Sequence, residues 1–555
     1  MIFWLVLWGC DGGKVDTAQL TSPTTDSPTT DASDPGDTSD PGDTSDTSDS
    51  DTDTDTDTDT DDSAVEVLAA ACDRQPENLL RYDCTATTSE DAEVRVRMVA
   101  EADPADVRWS PWSIVGTGHE VTVWGLRAET AYSWEIEARR VDDTGVTLHP
   151  GGTVTTGALA DAGAPFDVLS FRTAYRPGAK VEVPFAVTPV SCGQQHYAVV
   201  VVDPDGAVRW YEQMDTISFT AISAHGLTVA GIPQVREVVS WHLDGTRGGV
   251  DFTPQCTGGG EGPCPHHEVL LDDEGAWVMS GALDDSSFGP VGLSGCETST
   301  RYWDTRFTRY DPDWNATREL ILEGDFGYAP DVDIGPDFQP IVPVPSCAHP
   351  FWTKYAGTSG IDYAHPNALF LDGDLLGVSM ASWHAIAALD VVSEEVAWTL
   401  HATDPAYSSF GVPLAVSPSI VEHAEAVFSA QHHTTWVDGQ LQLFDNAGGG
   451  VARALRLDLD VGAGVATIVK AWTITDDDEG TWTAPDALAC GNRSSAFSLG
   501  GDQILGACAS NASVGIYDRP DGTTADGPAW FLEADCGGNT VEGMTRVVPL
   551  GSLGP

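Results

Sequence analysis

The sequence predicts an all-β protein whose larger part is a closed β-propeller, with a β-sandwich ahead of it. From about residue 160 onward, short period-two runs recur between Gly/Asp turns, and helical periodicity is almost absent. Several of these units end in an aromatic placed to close one blade on the next: Trp210, Trp398, Trp472 and Trp530. Roughly 395 residues at some 55–70 per unit allow six or seven blades, and ring closure removes the exposed sheet edges that so many short antiparallel strands would otherwise leave.

The first ten residues read as a lipoprotein signal. Ile2 to Trp8 are apolar, and Leu7-Trp8-Gly9-Cys10 resembles a bacterial lipobox with Cys10 as the lipidated residue. A run this short cannot span a bilayer, so membrane attachment is expected through the lipid alone. Residues 11–62 follow as Pro-Gly-Asp-Thr-Ser repeats passing into alternating Asp-Thr. Such a segment has almost nothing to bury and repels itself, which predicts a disordered tether.

Residues 63–158 return to period-two patterning. Val94 to Val99, Val121 to Val123 and Ala131 to Ala138 are strand signals, and Trp109 and Trp112 are candidate core aromatics. The stretch Trp124-Gly125-Leu126 with Thr130-Ala131-Tyr132 resembles the E–F corner of a fibronectin type III domain, and Val154 to Gly157 resembles that family's last strand. The resemblance implies a β-sandwich acting as spacer or docking module. No cluster of catalytic residue types lies in it.

Residues 159–555 supply the propeller. Tyr197 to Tyr211 is two strands about Asp205-Gly206, and similar units run over 268–280, 307–320, 368–400, 434–460 and 496–532.

Charge and cysteines bound the compartment and the partners. The formal net charge is −59; residues 11–62 hold 17 Asp and one Lys, a charge of −16, which leaves −43 on the rest. So acidic a body repels nucleic acid and anionic lipid, and neither is an expected partner. Ten cysteines besides Cys10, with no CxxC pair, suit disulfides in an oxidising, extracytoplasmic setting. Cys72 with Cys84 and Cys256 with Cys264 are the nearest pairs, and sequence alone leaves the connectivity open.

Histidine marks where the function should be sought. Only 14 residues are His, yet five fall in three strand-edge segments: His266-His267-Glu268, His365-Pro366-Asn367 and Gln431-His432-His433. Imidazole serves as base, nucleophile or metal ligand near neutral pH. On a regular strand His365 and Asn367 share a face, whereas adjacent histidines point oppositely, so each doublet offers one ring to a channel.

These segments resemble the aryl-sulfate sulfotransferase family in one collinear order over about 165–550. His365-Pro366-Asn367-Ala368-Leu369 with Val396-Ala397-Trp398-Thr399-Leu400 is similar to its His-x-Asn segment and the strand after it. Gln431-His432 with Phe444-Asp445-Asn446, His266-His267-Glu268-Val269, and Met544-Thr545-Arg546-Val547 are similar to three further segments. The resemblance implies a six-bladed propeller that transfers a sulfuryl group from a phenolic sulfate to a phenol without a nucleotide donor. It assigns His432 as covalent nucleophile, His365 and Asn367 as donors to the sulfonate oxygens, and His267 as donor or acid. A neutral imidazole suits this chemistry because it brings no negative charge toward an anionic ester.

One departure stands out. Ala381-Ser382-Trp383-His384 carries Trp383 where the family has a sulfate-binding Arg. Trp383 has a face for a phenol ring but no charged fork, and His384 beside it reads more readily as a strand-end residue than as a ligand. Arg493 is the candidate substitute cation, with Ser494 or Ser495 in the role of the family's polar Thr. Three convergent imidazoles are also a metal-binding set, although no obligatory carboxylate ligand accompanies them and no cofactor is expected. The competing expectation is a non-catalytic, surface-anchored binding propeller.

Overall fold

In the computed structural model the described residues are 64–141, 145–193, 196–216, 219–233, 236–256, 262–284, 302–322, 352–355, 358–361, 365–381, 385–402, 412–418, 428, 431–446, 451–476, 486–487, 490, 494–508, 512–518, 527–539, 541–542, 544 and 546–553. Cys10, residues 11–62, Cys296, Cys347, Trp383, His384 and Arg493 lie outside them. The chain from Val65 to Pro555 belongs to one compact unit. Among the described residues nearly all regular structure is strand, and no helix is long and apolar enough to cross a membrane.

The N-terminal part is built on one long strand, Tyr82–Ala100. Its buried and exposed positions alternate along its length, as a half-buried strand requires. Its first half pairs with Val67–Arg74 and Gly116–Val123, and its second half with Ala131–Arg139 and Val107–Trp109. The register shifts between Thr87 and Ala92, and the two halves face a common core that includes Tyr82, Val94, Met98 and Ile136. The corner after Trp124 is held by Tyr132, whose hydroxyl accepts from the backbone N–H of Arg127 at 2.8 Å. This is the hydrogen bond that marks a sandwich's tyrosine corner.

Trp109 and Trp112 correct the sequence reading, because they are half-buried on the outer face rather than core residues. Arg95 lies 4.1 Å from the Trp109 ring and 4.5 Å from that of Trp112, and Arg139 lies 4.0 Å from Trp112. The outward positions of the strands carry arginine, and stacked guanidinium planes cover the indoles in place of a core.

The rest is a six-bladed propeller. The inner strands Phe219–His225, Cys264–Asp272, Pro366–Asp372, His432–Val437, Ser495–Gly500 and Val548–Leu550 each touch the next, and the last returns to the first. Antiparallel strands extend outward from each. Strand Val412–Pro418 pairs in parallel with the outer strands of the fourth and fifth blades and joins them into one sheet. Both ends of the propeller segment close the ring. Ser170–Tyr175 adds to the outside of the last blade, while Val548–Leu550 forms the inner strand of the first, against Phe185–Cys192.

Tryptophan indoles fasten neighbouring blades. Trp210 donates to the Leu243 carbonyl, Trp472 to that of Asp502 and Trp530 to that of Pro204, each reaching a turn of the next blade around the ring. Trp398 differs: its ring stacks on Phe370, which stacks in turn on Trp436 of the following blade.

Among the described residues four disulfides are formed, Cys72–Cys84, Cys192–Cys536, Cys256–Cys264 and Cys490–Cys508. They indicate an oxidising, extracytoplasmic environment.

The two parts meet through buried charge. Arg209 of the first blade donates to both carboxylate oxygens of Asp106, at 3.0 and 2.9 Å, and to Asp203 at 2.7 Å. Arg81 pairs with Glu212 at 3.0 Å, and the Trp124 indole donates to the Leu553 carbonyl. The sandwich is therefore fixed to the first blade.

Candidate functional site

The histidine segments lie where three neighbouring inner strands begin. His266 and His267 open Cys264–Asp272, His365 immediately precedes Pro366–Asp372, and His432 and His433 open His432–Val437. At all three places the backbone turns left-handed, with φ of 57° at His267, 46° at His365 and 45° at His433. Each inner strand also slips register against its neighbour there, between Pro265 and Val269, Pro366 and Ala368, and His432 and Thr434. A β-bulge inserts a residue and re-aims a side chain. The strict alternation expected from period two is therefore interrupted at these positions.

The rings divide into accessible and buried members. His267, His365 and His432 are half-buried, whereas His266 and His433 are buried. The rings of His267 and His365 lie 4.8 Å apart at 74°, and Nδ1 of His266 is 2.9 Å from Nδ1 of His267. His433 packs against Phe497, and its Nδ1 accepts from the backbone N–H of Ala496 at 3.3 Å. Burial, helped by the nearby positive charge of Arg546, holds its pKa well below the usual histidine value. His433 is thus a neutral structural residue.

Asn367 is buried, and one N–H of its amide donates to the Gln431 carbonyl at 2.7 Å, tying the fourth inner strand to the fifth. Gln431 in turn donates to the carbonyls of Met380 and Ala385. The bulge beside Asn367 breaks the two-residue period that would set it on one face with His365.

The tautomer of His432 follows from its neighbour. Asn446 donates from Nδ2 to the Cys490 carbonyl at 2.6 Å, which orients the amide so that Oδ1 faces His432. Oδ1 lies 2.8 Å from His432 Nδ1, and an amide oxygen only accepts. Nδ1 therefore carries a proton, and in the neutral ring the lone pair is on Nε2. The neutral tautomer so favoured at His432 is opposite to that of His433, whose Nδ1 accepts.

Two residues without an assigned role in the sequence reading lie beside the histidine segments. Arg546, just before the closing inner strand, forms a buried ion pair with Glu268, the residue after His267. The backbone N–H of Leu369 also donates toward Glu268, and Ser495 Oγ accepts from the N–H of Val547. Burial pushes the Glu268 carboxyl up, against the lowering effect of Arg546. Glu268 was visible only as the third residue of the His-His-Glu run, and Arg546 only within Met544 to Val547. Their pairing spans 278 residues and has no local signal. Ser494 is buried beside this region. Among the described residues no group of three His, Cys, Asp or Glu is arranged to hold a metal ion.

The chain matches no family model and no curated protein. Solved structures similar to it include apo AztD from Citrobacter koseri, with 8% identity over 80% of this chain and 98% of that one, at a TM-score of 0.28. BamB from Moraxella catarrhalis has 9% identity over 65% and 90%, at 0.25, and Hsv2 from Kluyvelomyces marxianus 7% over 66% and 99%, at 0.29. At scores this low the likenesses carry no inference, and the fold rests on the ring of sheets itself.

Proposed function

We propose that the protein transfers a sulfuryl group from a phenolic sulfate ester to a phenol, through a covalent intermediate on Nε2 of His432. The observation that carries this reading is the Asn446–His432 hydrogen bond, which puts a proton on Nδ1, so that the ring in its neutral form has its lone pair on Nε2. In the first step Nε2 attacks sulfur and the bond from sulfur to the aryl oxygen breaks. The electron pair leaves with the phenolate, which takes a proton. In the second step a phenol oxygen attacks sulfur, loses its proton, and returns the pair to Nε2. His365 and His267, whose rings lie 4.8 Å apart, would donate to sulfonate oxygens and to the departing phenolate. The protein would work outside the cytoplasm, held to the membrane by a lipid on Cys10.

A non-catalytic binding propeller is the second reading. It is favoured by Asn367, whose amide nitrogen is given to a backbone carbonyl, and by Arg546, whose charge is matched by Glu268. Incubation with 4-nitrophenyl sulfate and excess phenol separates the two. Transfer predicts release of nitrophenolate and a sulfuryl adduct on His432 by intact mass, both lost in His432→Ala. Binding of phenyl sulfate with neither product nor adduct, in wild type, refutes transfer and leaves the binding reading standing.

A further inference from the structure

The Arg546–Glu268 pair has an arrangement that closing the ring does not require. Arg546 comes from the first blade and Glu268 from the third, so their contact crosses the inner ring rather than joining adjacent blades. It lies one residue along the strand from His267. Glu268 is buried, its carboxylate satisfied by Arg546 and by the N–H of Leu369. The positive charge of Arg546 is felt at His433, which places it toward the fifth inner strand as well. A guanidinium is thus held on the residue that follows half-buried His267, and near buried His433, in a protein whose net charge is −59. A site that accepts an anion in so acidic a body needs a local cation.

We propose that Arg546 is the anion-recognising cation of this channel end, and that it passes from Glu268 to the bound anion while Glu268 takes up one proton from solvent. The proposal rests on the sulfate-ester reading for its ligand class, an oxyanion of sulfate geometry. Guanidinium forks match such oxyanions in two-point hydrogen bonds. A buried carboxylate that loses its cation retains the cost of desolvation without the compensating charge, and the least costly outcome is neutralisation. The exchange balances: anion, ion pair and proton become an arginine–anion pair and a neutral Glu268. The groups facing Glu268 are Arg546 and the backbone N–H groups of Leu369 and Val269. The nearest other titratable groups along its strand are His266 and His267, which would be the competing proton acceptors.

Calorimetric titration of the full chain with sodium sulfate, in buffers of differing ionisation enthalpy, reads the proton count directly. About one proton should be taken up per sulfate near neutral pH, and affinity should then fall about tenfold per unit of rising pH. Glu268→Gln keeps an oxygen for Arg546 but has no site for the proton. It should bind sulfate with uptake near zero and an affinity independent of pH. Arg546→Met should lose sulfate binding. Uptake near zero in wild type, unchanged uptake in Glu268→Gln, or no sulfate binding by wild type would each overturn the proposal. If Arg546→Met does not fold, the wild-type and Glu268→Gln proton counts decide alone. Sulfate binding with proton uptake but no nitrophenolate release would refute transfer and leave this inference intact.

Discussion

Replacing Arg209 with Met should detach the sandwich from the propeller. Arg209 is buried between Asp106 and Asp203, and three of its hydrogen bonds go to their carboxylates. Asp106 is also paired with Arg108 at 3.1 Å and accepts from the Tyr132 hydroxyl at 3.0 Å. Removing the guanidinium leaves two buried carboxylates short of their main cation. Breaking a buried pair from one side costs about 3–5 kcal/mol, because the remaining charge stays desolvated. The loss falls on the interface, so a single thermal transition in wild type should become two in Arg209→Met. Cleavage near the turn Leu159–Ala162 should become faster. The combined variant Arg209→Met, Asp106→Asn, Asp203→Asn, which leaves no buried carboxylate unpaired, should recover part of the loss, the remainder reflecting Arg108 and Arg127, which lose their aspartate partners. Arg209→Met melting as one transition within about 1 °C of wild type would refute the reasoning, since about 1 kcal/mol moves a domain of this size by several degrees.

Acid tests the same network and other parts of the fold. Burial raises the Asp106 carboxyl, but the hydrogen bond and charge of Arg209, with Arg108 and Tyr132, hold it below its ordinary value of 3.8. A depressed carboxyl contributes stability above its unfolded pKa and loses it as pH falls through the lower native one, so Asp106→Asn should flatten the pH dependence of melting below about pH 4. His433 is buried neutral, with its native pKa well below 6.5. The unfolded chain therefore binds more protons below pH 6.5, and stability should fall there by up to about 1.4 kcal/mol per pH unit, a slope that His433→Leu removes. Asn446→Ala should slow sulfuryl transfer roughly 10- to 100-fold with KM little changed, as loss of a hydrogen bond of about 1.5–3 kcal/mol predicts; Asn446→Asp should restore the rate with a pH optimum moved upward. Reducing Cys192–Cys536, which links residues 344 apart, should cost at most about 5 kcal/mol in denaturant titration and act on the closing of the ring.

The repeating part of the fold was legible in the residues. The Tyr197 to Tyr211 hairpin, with Gly206 at φ 86°, is a local signal, and the indoles of Trp210, Trp472 and Trp530 fall at strand positions that pattern reveals. The double closure was not legible, because Ser170–Tyr175 and Val548–Leu550 find partners more than 300 residues away. Trp109 and Trp112 misled because an indole looks like core until the arginines beside it are placed. The histidine segments could be read as three places on three strands. Their left-handed backbone, the oriented Asn446 amide and the Arg546–Glu268 pair come from packing between blades, to which no periodicity points.

Among the described strands, the last along the chain is also the innermost of the first blade. A chain halted before Val541 lacks the strands that complete that blade, and with them Arg546. During synthesis and export the nascent propeller must therefore wait as an open arc, its first and last blades exposing unpaired inner edges to chaperones and proteases. Prematurely terminated copies would carry every histidine of the site and none of its closing charge. Discarding them needs no recognition beyond that unpaired edge.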